Sequence, residues 1–158
     1  MNVQLLNEVA AFIWQEADML DHAEYDAWLG LWADDGRYIV PIDPRENDFA
    51  NTLNYANDDA KMRQLRVARL LSGESVSTTP APTVVRSASR FRILAAEGDR
   101  CTVRCAQNLR EFNKDRQRHY TADVTYDLVR AGASFRMQQK VVRLANSTDT
   151  LQAISYIL

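Results

Sequence analysis

Tyr120, Ala122, Val124, Tyr126 and Leu128 alternate with His119, Thr121, Asp123, Thr125 and Asp127. Strict alternation has the period of a β-strand with one buried and one wet face. A strand that long needs long neighbours, and the sequence supplies them. Val85, Ser87, Ser89, Phe91 and Ile93 share a face before it. After a hairpin turn at Glu97-Gly98-Asp99, so do Cys101, Val103, Cys105, Gln107 and Leu109. Asn113–Arg116 turns the chain into the central alternation, and Ala131-Gly132-Ala133 separates it from a strand over Phe135–Leu144. Asn146–Asp149 then turns into a last strand over Leu151–Leu158.

The preceding half is helical. Leu5, Leu6, Val9, Phe12, Ile13, Ala17 and Leu20 recur at helical spacing. Asp21, with Glu24 three residues on, has the form of a capping box for a second helix carrying Tyr25, Trp28, Leu29 and Trp32. Asp34-Asp35-Gly36 stops that helix, and Arg37–Val40 is a short strand ended by Pro41. Residues 43–57 read as a long polar loop. Asp58 or Asp59 starts a third helix with Met62, Leu65, Ala68 and Leu71, ended by Ser72-Gly73. Thr78–Pro82 is a proline-punctuated crossing. Helices followed by a meander of antiparallel strands make an α+β domain. The 158 residues suit one domain, 1–158, without a linker. One wide sheet must curl to cover its helices, giving a strongly curved antiparallel sheet, a cone with an open end.

The net charge of −2 disfavours nucleic acid or an anionic membrane as partner. No stretch of about 18 apolar residues occurs, and Met1-Asn2-Val3-Gln4 lacks the basic start of a signal peptide, so the cytoplasm is expected. Cys101 and Cys105 lie four residues apart on a strand, about 13 Å, whereas a disulfide needs Cα atoms within about 7 Å. They read as small buried residues. Two histidines, His22 and His119, form no paired Rieske motif and no two-histidine, one-carboxylate iron site. Phosphate-binding loops and a nucleophile elbow are also missing. The expectation is a chain with no metal, haem or flavin site. Cofactor-free acid–base work would fall to Asp21-His22 beside Tyr25, or to His119 with Asp123. Each has a structural alternative: Asp21 as a helix cap, His22 at an exposed helix end, His119 on the polar side of its strand. Trp28 and Trp32, four apart, and with them Trp14 and Tyr25, read as packing against the sheet. Lys114–Arg118 mixes charges at a solvated turn.

Three stretches together resemble a known family. The first is Glu16-Ala17, Leu20-Asp21, Tyr25, Trp28-Leu29, Leu31, Asp35, Tyr38 and Pro41. The second is Asp58-Asp59, Met62, Leu65-Arg66-Val67, Arg69-Leu70, Gly73, Thr79-Pro80 and Pro82. The third is Tyr126–Arg130, Lys140–Leu144 with Asn146, and Ile154–Leu158. They are similar to the small (β) subunits of bacterial ring-hydroxylating dioxygenases, which share the cone-like fold of nuclear transport factor 2 and ketosteroid isomerase. One departure is Ser89-Arg90, where the family often has Ser-Asn. The resemblance implies that the Rieske [2Fe-2S] cluster and mononuclear iron belong to a large α subunit, that three α and three β chains assemble, and that this chain is a scaffold for aromatic-ring hydroxylation. A stand-alone isomerase or dehydratase on the same fold is the alternative; it needs polar groups converging in the cone mouth.

With Phe91 and Ile93 inward, Val84, Ala88 and Leu94 fall outward among Arg86, Arg90 and Arg92, and Val142 and Leu144 fall outward beside Lys140. Apolar residues and arginines repeated on an outer sheet face mark an interface. Self-association as a trimer is therefore expected.

Overall fold

The computed structural model describes residues 1–72, 83–145 and 156–158. Helices α1 (Val3–Asp21) and α2 (Tyr25–Leu29) open the chain, followed by strands β1 (Trp32–Pro41) and β2 (Asn54–Asp58) and helix α3 (Ala60–Ser72). Four long strands complete it: β3 (Thr83–Glu97), β4 (Arg100–Asn113), β5 (Arg116–Ala131) and β6 (Ser134–Leu144). Among the described residues, six strands form one sheet in the order β2-β1-β6-β5-β4-β3, open at both edges. The α+β class and the β3–β6 meander agree with the alternation. The sheet is mixed, however, because β1 runs parallel to β6 while it pairs antiparallel with β2. Periodicity shows which residues share a face and carries no information on strand direction, so a wholly antiparallel sheet was the wrong expectation.

Helix α1 is capped by Asn2, whose side chain accepts the Leu5 N–H at 3.0 Å. Its stripe of Val9, Phe12, Ile13 and Leu20 is buried in the sheet's concave face. Phe12 meets Phe135 edge-on at 5.9 Å, and Trp14 meets Phe91 at 5.4 Å. The helix also satisfies backbone groups of edge strand β3: Trp14 Nε1 donates to the Ala88 carbonyl at 2.9 Å, and Asp21 accepts the Arg86 N–H at 2.8 Å. Side chains on an edge block pairing with a foreign strand. Asp21 is thus the last residue of α1 and does not cap α2, which has no side-chain cap.

Three boundaries move. Trp32 opens β1 and does not end a helix, although its ring still meets that of Trp28 at 5.5 Å. Asp34-Asp35-Gly36 is an excursion within β1: Trp32 pairs with Met137 and Arg37 with Gln139, so the strand bulges between them. β2 occupies part of the expected loop; Asn54-Tyr55-Ala56-Asn57-Asp58 has little strand propensity and is held by pairing with β1. In α3 the buried residues are Arg63 and Val67, while Met62, Leu65 and Leu71 are 46%, 52% and 57% exposed and Ala68 is exposed too. The inner face is polar in letters but not in contacts. The Arg63 guanidinium lies 4.2 Å from the Trp32 ring and donates to the Gly36 and Asp58 carbonyls at 2.5 and 3.2 Å. Arg66 grips Asp58 through two hydrogen bonds of 2.6 and 3.0 Å.

Two bulges decide which residues face inward. In β3, Ser89 pairs with Ala106 but Arg92 with Arg104, so one extra residue enters and the faces exchange. Arg90 sits there at φ 58, the left-handed region that Asn tolerates better than Arg. Before the bulge Val84, Arg86 and Ala88 turn inward; after it Phe91 and Ile93 do. In β6, Asp127 pairs with Gln139 but Leu128 with Met137, and beyond this bulge Lys140, Val142 and Leu144 are buried. The expected outer positions of Val84, Arg86, Ala88, Lys140, Val142 and Leu144 are therefore corrected, whereas Arg90, Arg92 and Leu94 do face outward. On the outer side of β6, Arg143 donates to the Pro44 and Glu46 carbonyls at 2.9 and 2.7 Å, drawing the loop after β1 over the sheet. The Thr78–Pro82 crossing and the last strand up to residue 155 lie outside the described residues; residues 156–158 are buried and carry no strand.

Gly36 gives the first prediction. A Cβ there would stand 2.8 Å from the Met137 carbonyl oxygen and 2.8 Å from the Trp32 ring. Gly36→Ala should lower stability by about 1–3 kcal/mol through forced backbone displacement. A urea midpoint equal to that of the wild type contradicts this.

Candidate functional site

The concave interior carries an unusual set of charges. Glu16 lies on the apolar stripe of α1, four residues after Phe12, and is buried. Its carboxylate accepts hydrogen bonds from Trp28 Nε1 at 3.0 Å, Tyr126 OH at 2.7 Å and Lys140 Nζ at 2.8 Å. These donors come from α2, β5 and β6, so one carboxylate ties α1 to α2 and to the centre of the sheet. Lys140 is buried too, on the same inward parity as Val142 and Leu144. A buried ion pair is tolerated only when its remaining hydrogen-bonding groups are also satisfied. Lys140 meets that condition with a second bond, 2.9 Å to the Leu158 backbone oxygen.

Residues 156–158 fill the space between these groups. Leu158 N–H donates to Tyr38 OH at 2.9 Å, and the Arg86 guanidinium holds the Ile157 carbonyl and Asp21 together. Tyr156 OH donates to Glu111 at 3.2 Å, and its ring meets Tyr120 edge-on at 6.4 Å. Tyr156, Ile157 and Leu158 are all part of the hydrophobic core. Residues 156–158 thus take up the hydrogen-bonding groups that Lys140, Arg86 and Tyr38 present to the interior.

This arrangement suits clamping better than proton transfer. Burial pushes the Tyr38 hydroxyl up to about 12 and the Cys105 thiol up to about 12. Burial and the neighbouring Glu16 drive Tyr126 well above the ordinary tyrosine range. Burial lowers the Lys140 ammonium, and the charge and hydrogen bond of Glu16 oppose that shift. The Glu16 oxygens already accept three donors and have no route to solvent. A general base must reach a substrate proton within hydrogen-bond distance.

The acid–base candidates from the sequence do not converge. Asp21 is taken by Arg86, leaving His22 without it. His22 caps α1, exposed, with Nδ1 2.9 Å from the Asp18 carbonyl and 3.2 Å from its carboxylate, and both interactions raise its pKa. Tyr25 is partly buried beside the core. His119 faces outward from β5, opposite Arg110, while Asp123 pairs with Arg90. Cys101 and Cys105 are free and buried on the inner face of β4. Among the described residues, Asp18, His22 and Glu24 bring ligand atoms within 4.8 Å of one another, all exposed. One histidine with two surface carboxylates fits neither a Rieske cluster nor a two-histidine iron site. The sequence reading placed Lys140 and Arg86 on the outer face and gave Glu16 no structural role, whereas all three are buried. The signal for them was a charge standing at a core position of an otherwise apolar periodicity, acid on the helix and bases on the strands.

Two predictions follow from the clamp. Glu16→Gln and Lys140→Met should each cost about 3–5 kcal/mol, because each strands a buried partner. The double variant should cost less than the sum by about 1 kcal/mol or more. Additive losses in urea titrations of the four proteins would remove the coupling. The second concerns alkali. Tyr38 has a folded pKa above its unfolded value, so the stability it contributes is complete below 10.0 and lost as pH climbs toward about 12. Tyr126 shifts in the same direction. Guanidinium midpoints should fall between pH 9 and pH 11.5 on the order of the sum of such linkages, with tyrosine ionisation at 295 nm accompanying unfolding. Normal tyrosine titration in a fully folded chain contradicts the burial.

Known proteins agree with this geometry. A profile of the family described as ring hydroxylating beta subunit matches residues 15–150. The small oxygenase component of the p-cumate 2,3-dioxygenase system of Pseudomonas putida is 29% identical over 136 residues, 85% of this chain and 76% of that protein. The crystal structure of the beta subunit of benzoate 1,2-dioxygenase from Burkholderia mallei superposes with a TM-score of 0.77 at 25% identity, covering 96% of this chain and 97% of that one. A naphthalene 1,2-dioxygenase structure with indole bound in its active site gives a TM-score of 0.85 at 17% identity, covering 100% of this chain and 88% of that one, which bears on the fold alone. With the family profile spanning the end of α1, the other two helices and all six strands, the chain belongs to the beta-subunit family of ring-hydroxylating dioxygenases and is the small subunit of an aromatic-ring-hydroxylating dioxygenase.

Proposed function

We propose that this chain, a single domain over residues 1–158, is the non-catalytic scaffold of a multicomponent Rieske non-haem iron oxygenase that hydroxylates aromatic rings. The observation that carries this reading is the filled cone: Tyr156–Leu158 occupy the interior, and Lys140, Arg86 and Tyr38 hold them there. A cone-fold isomerase or dehydratase needs the opposite, an open mouth with polar groups converging on a ligand. The Rieske [2Fe-2S] cluster and mononuclear iron then belong to the large α subunit. Three large and three small subunits assemble, with the small subunits meeting as a trimer, and the chain contributes no catalytic, metal-binding or cofactor-binding residue. Among the described residues no helix is long and apolar enough to cross a membrane, in keeping with a cytoplasmic complex that binds neither membrane nor nucleic acid.

Reconstitution tests this directly. The purified chain, supplied with reductase and an electron donor, should leave aromatic substrates unchanged, and product should form once the large subunit is added. Turnover without the large subunit, or iron that survives chelation and is lost on replacing His22 or His119, overturns the scaffold role.

A further inference from the structure

Indole and phenol rings are, with the sulfur side chains, those that lose a single electron most readily, and one of each shares the buried carboxylate. Trp28 Nε1 donates to one Glu16 oxygen at 3.0 Å, and Tyr126 OH donates to the other at 2.7 Å. Trp28 and Tyr126 are 0% and 1% exposed, so a radical on either is shielded from solvent and from other molecules. Trp32, also buried, adds a second indole from β1, meeting Trp28 edge-on at 5.5 Å.

The surrounding charges give this group a direction. The Arg63 guanidinium lies 4.2 Å from the Trp32 ring centre and opposes a positive charge on that ring. The Glu16 carboxylate beside Trp28 Nε1 favours one there. A phenol that loses an electron becomes a strong acid, and it keeps the hole only if its proton has somewhere to go. Tyr126 has an acceptor within hydrogen-bond reach, Glu16. Tyr38, its ring 6.3 Å from Trp28, accepts the Leu158 N–H, and among the described residues no carboxylate takes its proton. Tyr156 does donate to a carboxylate, Glu111 at 3.2 Å, but the ring it meets is that of Tyr120, at 6.4 Å, and not an indole.

The geometry points to Trp28, Glu16 and Tyr126 as a sink for one-electron oxidants, with the hole settling on Tyr126. Tyr126 passes an electron to the Trp28 radical cation and its phenolic proton to Glu16. Trp28 returns to the neutral indole, Tyr126 becomes the neutral phenoxyl radical, and Glu16 becomes a neutral acid. The positive charge is left on Lys140, which keeps its bond to the Leu158 backbone oxygen. The oxidants concerned are radicals of the class that incomplete reduction of dioxygen releases. Only that source rests on membership of a dioxygenase. The transfer is a property of the chain alone, so its failure leaves the proposed function untouched.

The test uses the full chain carrying Trp14→Phe, which leaves Trp28 and Trp32 as the only indoles. Trp14 is 54% exposed and packs on Phe91, so phenylalanine retains the ring contact. A laser pulse at the red edge of indole absorption, where tyrosine does not absorb, ionises the two, and transient absorption follows the radicals. The tryptophan radical should decay as a tyrosyl radical rises, at a rate independent of protein concentration. That rate should fall in deuterium oxide, because the proton moves with the electron. Adding Tyr126→Phe should abolish the tyrosyl signal and prolong the tryptophan radical, with the fold checked by circular dichroism. Tyr156→Phe should change neither. A tyrosyl radical that forms as fast and as fully without the Tyr126 hydroxyl, or that is lost with Tyr156→Phe instead, overturns the sink. Equal rates in light and heavy water overturn it as well, and that comparison needs no substitution at Tyr126.

Discussion

A carboxylate without water must be given other donors, and the protein is organised around one such group. Glu16 takes three, from the indole of Trp28, the hydroxyl of Tyr126 and the ammonium of Lys140. Each donor sits on a different element, so α1 cannot slide or rotate against the sheet without uncovering a charge in an apolar interior. The penalty for leaving such a charge unpaired is several kcal/mol, comparable with the whole stability of an ordinary domain. Hydrophobic packing of Phe12, Ile13 and Leu20 brings helix and sheet together, but it tolerates small slips. The ion pair does not, and it sets the register.

The same pair also holds residues 156–158 in the interior. Lys140 has donors left over after binding Glu16, and the Leu158 backbone oxygen accepts from it. Arg86 repeats the pattern on β3, three strands from Lys140 in the same sheet, joining Asp21 of α1 to the Ile157 carbonyl. Two buried cations thus each connect the first helix to residues 156–158. On a fold where other proteins need an open mouth, these bonds spend the interior polar groups on holding the chain itself. In the scaffold role proposed above, activity is left to a partner.

Much of this was legible in the sequence. The alternation from His119 to Leu128 gave β5 its faces correctly, the spacing from Leu5 to Leu20 gave α1, and the turns at Gly98 and Gly132 adopt the positive φ that those glycines permit. The failures have common physical causes. Counting by twos along a strand holds only until a bulge inserts a residue, and the bulges at Arg90 and before Lys140 exchanged the faces of β3 and β6. The reading of α3 failed because Arg63 and Arg66 bury their guanidiniums against Trp32 and Asp58, contacts that no apolar periodicity records. β2 was missed because its strand character comes from pairing with β1 and not from its own residues. Glu16 and Lys140 each broke a local pattern, and only the fold brings the two breaks together.

The account stands on residues 156–158 being seated in the interior as firmly as the sheet that surrounds them. Amide hydrogen exchange of the native chain measures this at single residues. If Leu158 N–H is bonded to Tyr38 and shielded within the core, it should exchange as slowly as the amides of β4 and β5, within about a factor of ten, opening only with the surrounding structure. Exchange of Leu158 at the rate of an unstructured peptide, with β4 and β5 still protected, would mean that the cone is open and that the clamp does not exist.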